Sequence, residues 1–292
     1  KVLDALEARG DYKADRTQMD IGVDVLPRIP KDTTDRNRTS PFAFTGNKFE
    51  FRMLGSAFSV AGPNIVLNTI VAESLRQFAD KLEAAEDFGV ALNRLIRHTV
   101  RDHKRILFNG NNYSDEWVKE AEARGLLNFR SSAEALTHFT DPKNVALFQR
   151  HHVFTEEELR SRQEIMLENY IKTVRIEALT MLEMARTAIL PAVLRYSASL
   201  AKAAQAKAAL DIECATEKAL CQRLSVKAGH ISMLSDSLEN AVRKAGDSAQ
   251  AYRNQVLSAM EALRLVVDDA ETIMDREAWP YPSYGEMLFS VR

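Results

Sequence analysis

The sequence predicts an α+β fold that is predominantly α, with one short β-hairpin near its start and long antiparallel helices after it. Three observations carry that prediction. "FAF" and "KFEFRM" flank Thr45-Gly46-Asn47, so two aromatic-rich alternating runs surround a turn-forming triplet, the pattern of a hairpin. From Ala61 onward apolar residues recur at helical spacing, as in Ile65, Leu67, Ile70, Val71, Leu75, Phe78 and Leu82. Past Thr155 the apolar stripe outruns an ordinary globular helix, and the breaks after it are short, which suits antiparallel neighbours in a hairpin or bundle.

Taken in order, "KVLDALEARG" reads as the last turns of an amphipathic helix stopped by Gly10, so the chain is expected to begin inside a longer protein and to form its C-terminal part. Asp11 to Met53 is loop and short strand, with three prolines in "DVLPRIPKDTTDRNRTSPFAF". Helices follow in "AGPNIVLNTIVAESLRQFADKL", in "DFGVALNRLIRHTVRDHKRILFNG" up to Asn109-Gly110, and in "YSDEWVKEAEARG", capped by Ser114 or Asp115 and closed by Gly125. "SSAEALTHF" and "DPKNVALFQ" give two short ones. Thr155 followed by Glu158 is a capping box that opens the long helix, with a kink expected at Pro191. Two further long segments, about Ala206 to Ala245 and Asp247 to Met274, are separated near Gly246. At the end, Pro280 and Pro282 bar helix, and "GEMLFSV" suits a closing strand or an extended segment packed back onto the body.

With 292 residues, 46% of them hydrophobic and 27% charged, the chain has the composition of a globular protein with length enough for a core. Lys plus Arg is 39 against Asp plus Glu 41, so no global basic field exists to attract nucleic acid, and any anion binding must be local. No apolar run reaches the roughly 18 residues of a membrane span. Cys214 and Cys221, seven apart on a helix, would hold their Cα atoms roughly 10 Å apart, too far to bridge, which fits a reducing, cytoplasmic home.

The local anion chemistry lies in two places. "TDRNRTS" carries Arg36 and Arg38 around Asn37, and a planar guanidinium suits phosphate or carboxylate oxygens. In "GNKFEFR", a strand would turn Lys48, Glu50 and Arg52 to one face and Phe49 and Phe51 to the other. That face, plus, minus, plus, is either a solvated edge whose charges offset one another or a site for an anion and a hard cation. In the second case Glu50 is an oxygen ligand for Mg²⁺ or Mn²⁺ beside bound phosphate. His151-His152 lacks a ligand spacing and reads as structural, glycine-rich phosphate loops are absent, and Met166, Met181 and Met184 read as core or interface filler.

Set together, "DRNRTSPFAFTGNKFEFRMLGSAFSVAGPN" resembles the C-terminal catalytic segment of glutamine synthetases, and "RNRTSPFAFTGNKFEFR" looks specifically like the type III class. "SSAEALTHF", "VFTEEELRSRQEIMLENY" and the final "PYPSYGEMLFSV" are similar to late segments of that catalytic domain. The resemblance implies three parts: residues 1–170 as the C-terminal part of the catalytic domain, with the hairpin and its helices; 171–276 as a long antiparallel helical insertion; and 277–292 as a segment returning to the catalytic domain. It implies ATP-dependent ligation of ammonia to glutamate through γ-glutamyl phosphate, with Mg²⁺ or Mn²⁺. Arg38 matches the arginine on the transferring phosphoryl group, Glu50 a metal ligand, and Arg52 the arginine that meets glutamate and the acyl phosphate; Lys48 stands where a nucleotide-phosphate arginine is usual. Ala43 stands where a second loop arginine is usual. The remaining active-site residues would precede Lys1. A cytoplasmic homo-oligomer is implied, a dodecamer of two stacked hexameric rings, with the insertion in ring-to-ring contact or regulation. Two alternatives stay open from the residues: a non-catalytic helical interaction module, and a related γ-glutamyl-amine ligase.

Overall fold

The computed structural model describes Asp4, Glu7, Gly55 and residues 58–108 and 114–289 with their side chains, and four strand segments by backbone alone. The strands form two antiparallel ladders. β1 (Gln18–Met19) pairs with β2 (Ile29–Pro30), and β3 (Phe42–Phe44) pairs with β4 (Phe49–Phe51) in the register Phe42↔Phe51, Ala43↔Glu50, Phe44↔Phe49. Among residues described with side chains, 79% are helical and none is in a strand, so the α+β class expected from the sequence is corrected to an α fold. Ladders of two or three residue pairs are too narrow to form a layer that helices can cover, and helical periodicity fills nearly all the rest. The closing strand expected in "GEMLFSV" is also corrected: Tyr284–Phe289 is a helix.

By compactness the chain divides into two units, Lys1–Asn128 with Ala146–Val153, and Phe129–Val145 with Phe154–Arg292. In the first unit lie α1 (Ala61–Glu83), α2 (Phe88–Asp102) and α3 (Asp115–Ala123). Asp87 caps α2 by accepting from the Val90 N–H at 2.9 Å, and Gly125, at φ +70°, closes α3 in the left-handed conformation the sequence calls for. Arg124 then donates to the Leu107 and Arg105 carbonyls at 2.7 and 3.2 Å while lying over Trp117, which itself stacks on Phe108. That set of contacts ties the end of α3 to the segment after α2.

The second unit begins with α4 (Ser132–Ala135), and α5 (Pro142–Arg150) starts in this unit and ends in the first. The capping box at Thr155 is formed: its hydroxyl accepts from the Glu158 N–H at 3.2 Å, and the Glu158 carboxylate accepts from the Thr155 N–H at 2.8 Å. From there α6 (Glu156–Glu183) passes through a π-helical stretch, Met184–Ile189, directly into α7 (Leu190–Ala208). A turn leads to α8 (Ala215–Ala245); past Gly246, at φ +53°, come α9 (Ala249–Ala251), a second π stretch (Tyr252–Val256) and α10 (Leu257–Glu271), and α11 is Tyr284–Phe289. Side-chain pairs fix the direction of α7 against α8. Lys207 meets Glu217, Ser197 meets Ser225, and Arg186 meets Asp236 and Glu239, so numbers fall on one strand of the bundle as they rise on the other. These helices are antiparallel.

The core of this unit is a seam. On α8 the buried residues Leu224, Ala228, Ile231, Ser235, Leu238, Val242 and Ala245 follow in steps of four and three, the 3.5-residue repeat of a coiled coil. Ser235 is tolerated there because its hydroxyl donates to the Ile231 carbonyl at 2.7 Å. Opposite lie Val174, Ala178, Leu182, Ala185, Ile189 and Val193 from α6, the π stretch and α7, and Tyr252, Val256, Leu263 and Ala270 from the last helical run. The first of these stripes advances mostly in steps of four, faster than a regular helix can hold on one side. The π stretch, with its wider turns, absorbs the excess and also gives Pro191 a place in the helix, since a ring without an N–H cannot complete the usual ladder.

Truncating Leu238, which is fully buried, to Ala should lower unfolding stability by about 2 to 5 kcal/mol. Met233→Ala, 59% exposed on the same helix, should cost less than about 0.5 kcal/mol. Urea titrations followed by helical circular dichroism compare the two; similar losses would refute the seam.

Candidate functional site

Arg38, Lys48 and Arg52, the cations expected to bind phosphate and glutamate, lie outside the described residues. Glu50, the expected metal ligand, is placed by its backbone in β4, opposite Ala43. Among the described residues no group of three or more His, Cys, Asp or Glu is arranged to hold a metal ion. No helix there is long and apolar enough to cross a membrane. Both cysteines are free, with Cys214 buried beside the start of α8.

What the described residues do contain is a saturated carboxylate that the sequence did not reveal. Glu73, on α1, is buried, and both its oxygens are taken. Arg76 forks onto it with Nε at 3.0 Å and Nη2 at 2.9 Å, Gln77 donates Nε2 at 2.8 Å, Arg150 donates Nη1 at 2.6 Å, and His151 Nε2 sits at 2.9 Å. The Arg76 hydrogen bonds, then those of Gln77 and His151, with the Arg150 charge adding to them, hold the Glu73 carboxyl far below the usual carboxylate range, against the opposing effect of burial. A carboxylate so fully bonded has no lone pair left for a metal and is too weak a base to take a proton. It is a clasp between α1 and the end of α5 within the first unit. Half of it is local, because Arg76 and Gln77 stand three and four residues beyond Glu73 on the same helix face. The other half joins residues 77 and 78 positions apart, for which a single sequence carries no signal.

Elsewhere in the first unit, Lys104 bridges to Glu7 at 2.6 Å and to Asp4 at 3.3 Å, both helical. In the second unit Arg186 joins Asp236 and Glu239, each at 2.7 Å, Lys207 joins Glu217, and Lys227 joins Asp269. The last pair, with Arg223 adding its charge, keeps the Asp269 carboxyl below its ordinary range. Tyr170 hides its hydroxyl oxygen without a hydrogen-bond partner, and desolvation pushes its pKa up.

Comparison with known proteins supplies what the geometry of these residues does not. Residues 91–208 match the family model for the glutamine synthetase C-terminal domain. The type-3 glutamine synthetase of Dictyostelium discoideum is 38% identical over 93% of this chain and 39% of its own length. A glutamine synthetase of Butyrivibrio fibrisolvens is 38% identical over the whole of this chain and 43% of its own length, and one of Bacteroides fragilis is 34% identical over 94% and 40%. The chain thus spans about two fifths of the length of these relatives.

Glu73→Gln should lower the melting temperature at neutral pH by several degrees, since it leaves two arginines facing a neutral amide. The sign with pH follows from the depressed carboxyl. Its contribution is fully present above the unfolded value near 4.5 and fades as the pH falls below it, so the gap between wild type and variant should close in acid. Melting curves at several pH values check this; a gap that widens in acid would contradict the clasp.

Proposed function

The chain belongs to the glutamine synthetase family, and from that premise we propose that it is the C-terminal part of a glutamate–ammonia ligase of the type III class. One observation carries the reading: identity of 38% to a type-3 glutamine synthetase, extending over 93% of the chain.

Under this reading ATP phosphorylates the side-chain carboxylate of glutamate, and ammonia displaces phosphate from the γ-glutamyl phosphate so formed. Transfer of a phosphoryl group asks little covalent chemistry of the protein and a great deal of positioning and cationic stabilisation. Arg38 would sit on the transferring phosphoryl group, Lys48 on nucleotide phosphate, and Arg52 on glutamate and the acyl phosphate. Glu50 would hold Mg²⁺ or Mn²⁺ as a hard oxygen ligand, together with ligands outside the described residues; the metal's role is to draw phosphate charge into line. The alternation in the sequence supports this assignment, because a strand running from Lys48 to Arg52 would set one carboxylate between two cations on a single face. Ala43 would leave one nucleotide-phosphate contact without its usual arginine. The protein would assemble as a cytoplasmic dodecamer of two stacked hexameric rings, and the helical run 171–276 would be an insertion serving contact between rings or regulation.

In the full-length protein, Glu50→Gln should cut ATP-dependent glutamine formation about a hundredfold or more at unchanged oligomer content. Equal activity in variant and wild type would return the strand to a solvated pattern of charge.

A further inference from the structure

Within the second unit an open groove of about 560 Å³ runs between α8 and α10, and its walls carry Arg223, Lys227 and His230. Arg223, Lys227 and His230 follow at i, i+4 and i+7, so one face of α8 presents all three to it. Asp269 of α10 is the carboxylate among the lining residues, and Lys227 is bound to it. Arg186 on this bundle meets two carboxylates, Lys207 meets Glu217, and Lys172 meets Glu168. In the groove Arg223, Lys227 and His230 face one carboxylate, that of Asp269. Between the cations Val226, 53% exposed, and Ala219 form an apolar wall.

We propose that this groove is a binding site for a small organic phosphate. The chemistry of the walls selects that class. A guanidinium fork donates to two phosphate oxygens at once, an ammonium and an imidazole can reach the others, and charge-assisted hydrogen bonds of this kind are the strong ones. Inorganic phosphate alone would leave most of the groove empty and the Val226 wall wet; an attached carbon skeleton covers it. Asp269 acts as a competitor for Lys227, which the ligand must displace or share. The site is built from residues of the second unit alone and does not depend on the assignment of the residues proposed for catalysis.

Calorimetric titration of the full-length protein with phenyl phosphate, inorganic phosphate and benzoate tests it. Phenyl phosphate should bind more tightly than either of the other two. Arg223→Gln should weaken it about tenfold or more, Asp269→Asn should tighten it several-fold by freeing Lys227, and Glu50→Gln should leave it unchanged. Arg223 and Asp269 are exposed, so both variants keep the seam, which the helical dichroism signal checks. Affinity that is unmoved by Arg223→Gln, or that falls in Asp269→Asn, overturns the proposal. So does affinity lost in Glu50→Gln and kept in Arg223→Gln, which would place the phosphate elsewhere. Benzoate binding as tightly as phenyl phosphate would overturn the phosphate class.

Discussion

The second unit depends on one surface, the buried face of α8. Its repeat of 3.5 residues lets two helical runs lie along it, and Leu224, Ile231 and Leu238 are fully buried in the packing. Each such side chain contributes roughly 1.5 to 3 kcal/mol on burial. The partners have to match that repeat, and they do so by local changes in helix geometry. Both contain a π stretch, Met184–Ile189 in one and Tyr252–Val256 in the other, and both stretches bring residues to the core: Ala185, Ile189, Tyr252 and Val256. Beyond α10 the chain comes back to the same core through Trp279 and Tyr281.

The first unit is held differently. Its α2 and α3 have no fully buried residue among those described, and the buried positions of α1 are Thr69 and Glu73. Thr69 is satisfied within its own helix by the Ile65 carbonyl. Glu73 is satisfied by four side chains, and a buried charge removed from water is tolerable only with such partners. Polar bonding thus takes a share of the work that apolar area takes in the bundle. Under the proposed function this matters, since α1 directly follows the segment that carries Glu50.

Local signals were legible in the sequence wherever they rested on neighbours. The capping box at Thr155 and Glu158, the stop at Gly125 and the break at Gly246 each involve residues a few positions apart, and each stands as read. Where the reading failed, a local signal was outweighed by a neighbouring one. "GEMLFSV" after Pro280 and Pro282 suits an extended segment by composition, yet a proline ahead of a cap does no harm, and Ser283 with Glu286 is itself a capping box: Ser283 N–H donates to the carboxylate at 2.7 Å and its hydroxyl accepts from the Glu286 N–H at 3.3 Å. The α+β class failed for a different reason. Alternation in "KFEFR" is a property of a few residues, and fold class is decided by how much of the chain shares it. Of the candidate site, residue types and spacing were legible; Glu73 with Arg150 and His151 was not, because contacts between distant positions leave no periodic trace in one sequence.

The most direct test of the account is amide hydrogen exchange on the full-length protein, with and without ATP and Mg²⁺. Amides of α8 from Leu224 to Ala245 should exchange slowest in either state, and protection should rise on adding nucleotide and metal around residues 38–52, where the proposed ligands lie. Nucleotide binding that leaves residues 38–52 unchanged would contradict the assignment of the charged strand to the active site, and fast exchange along α8 would contradict the seam.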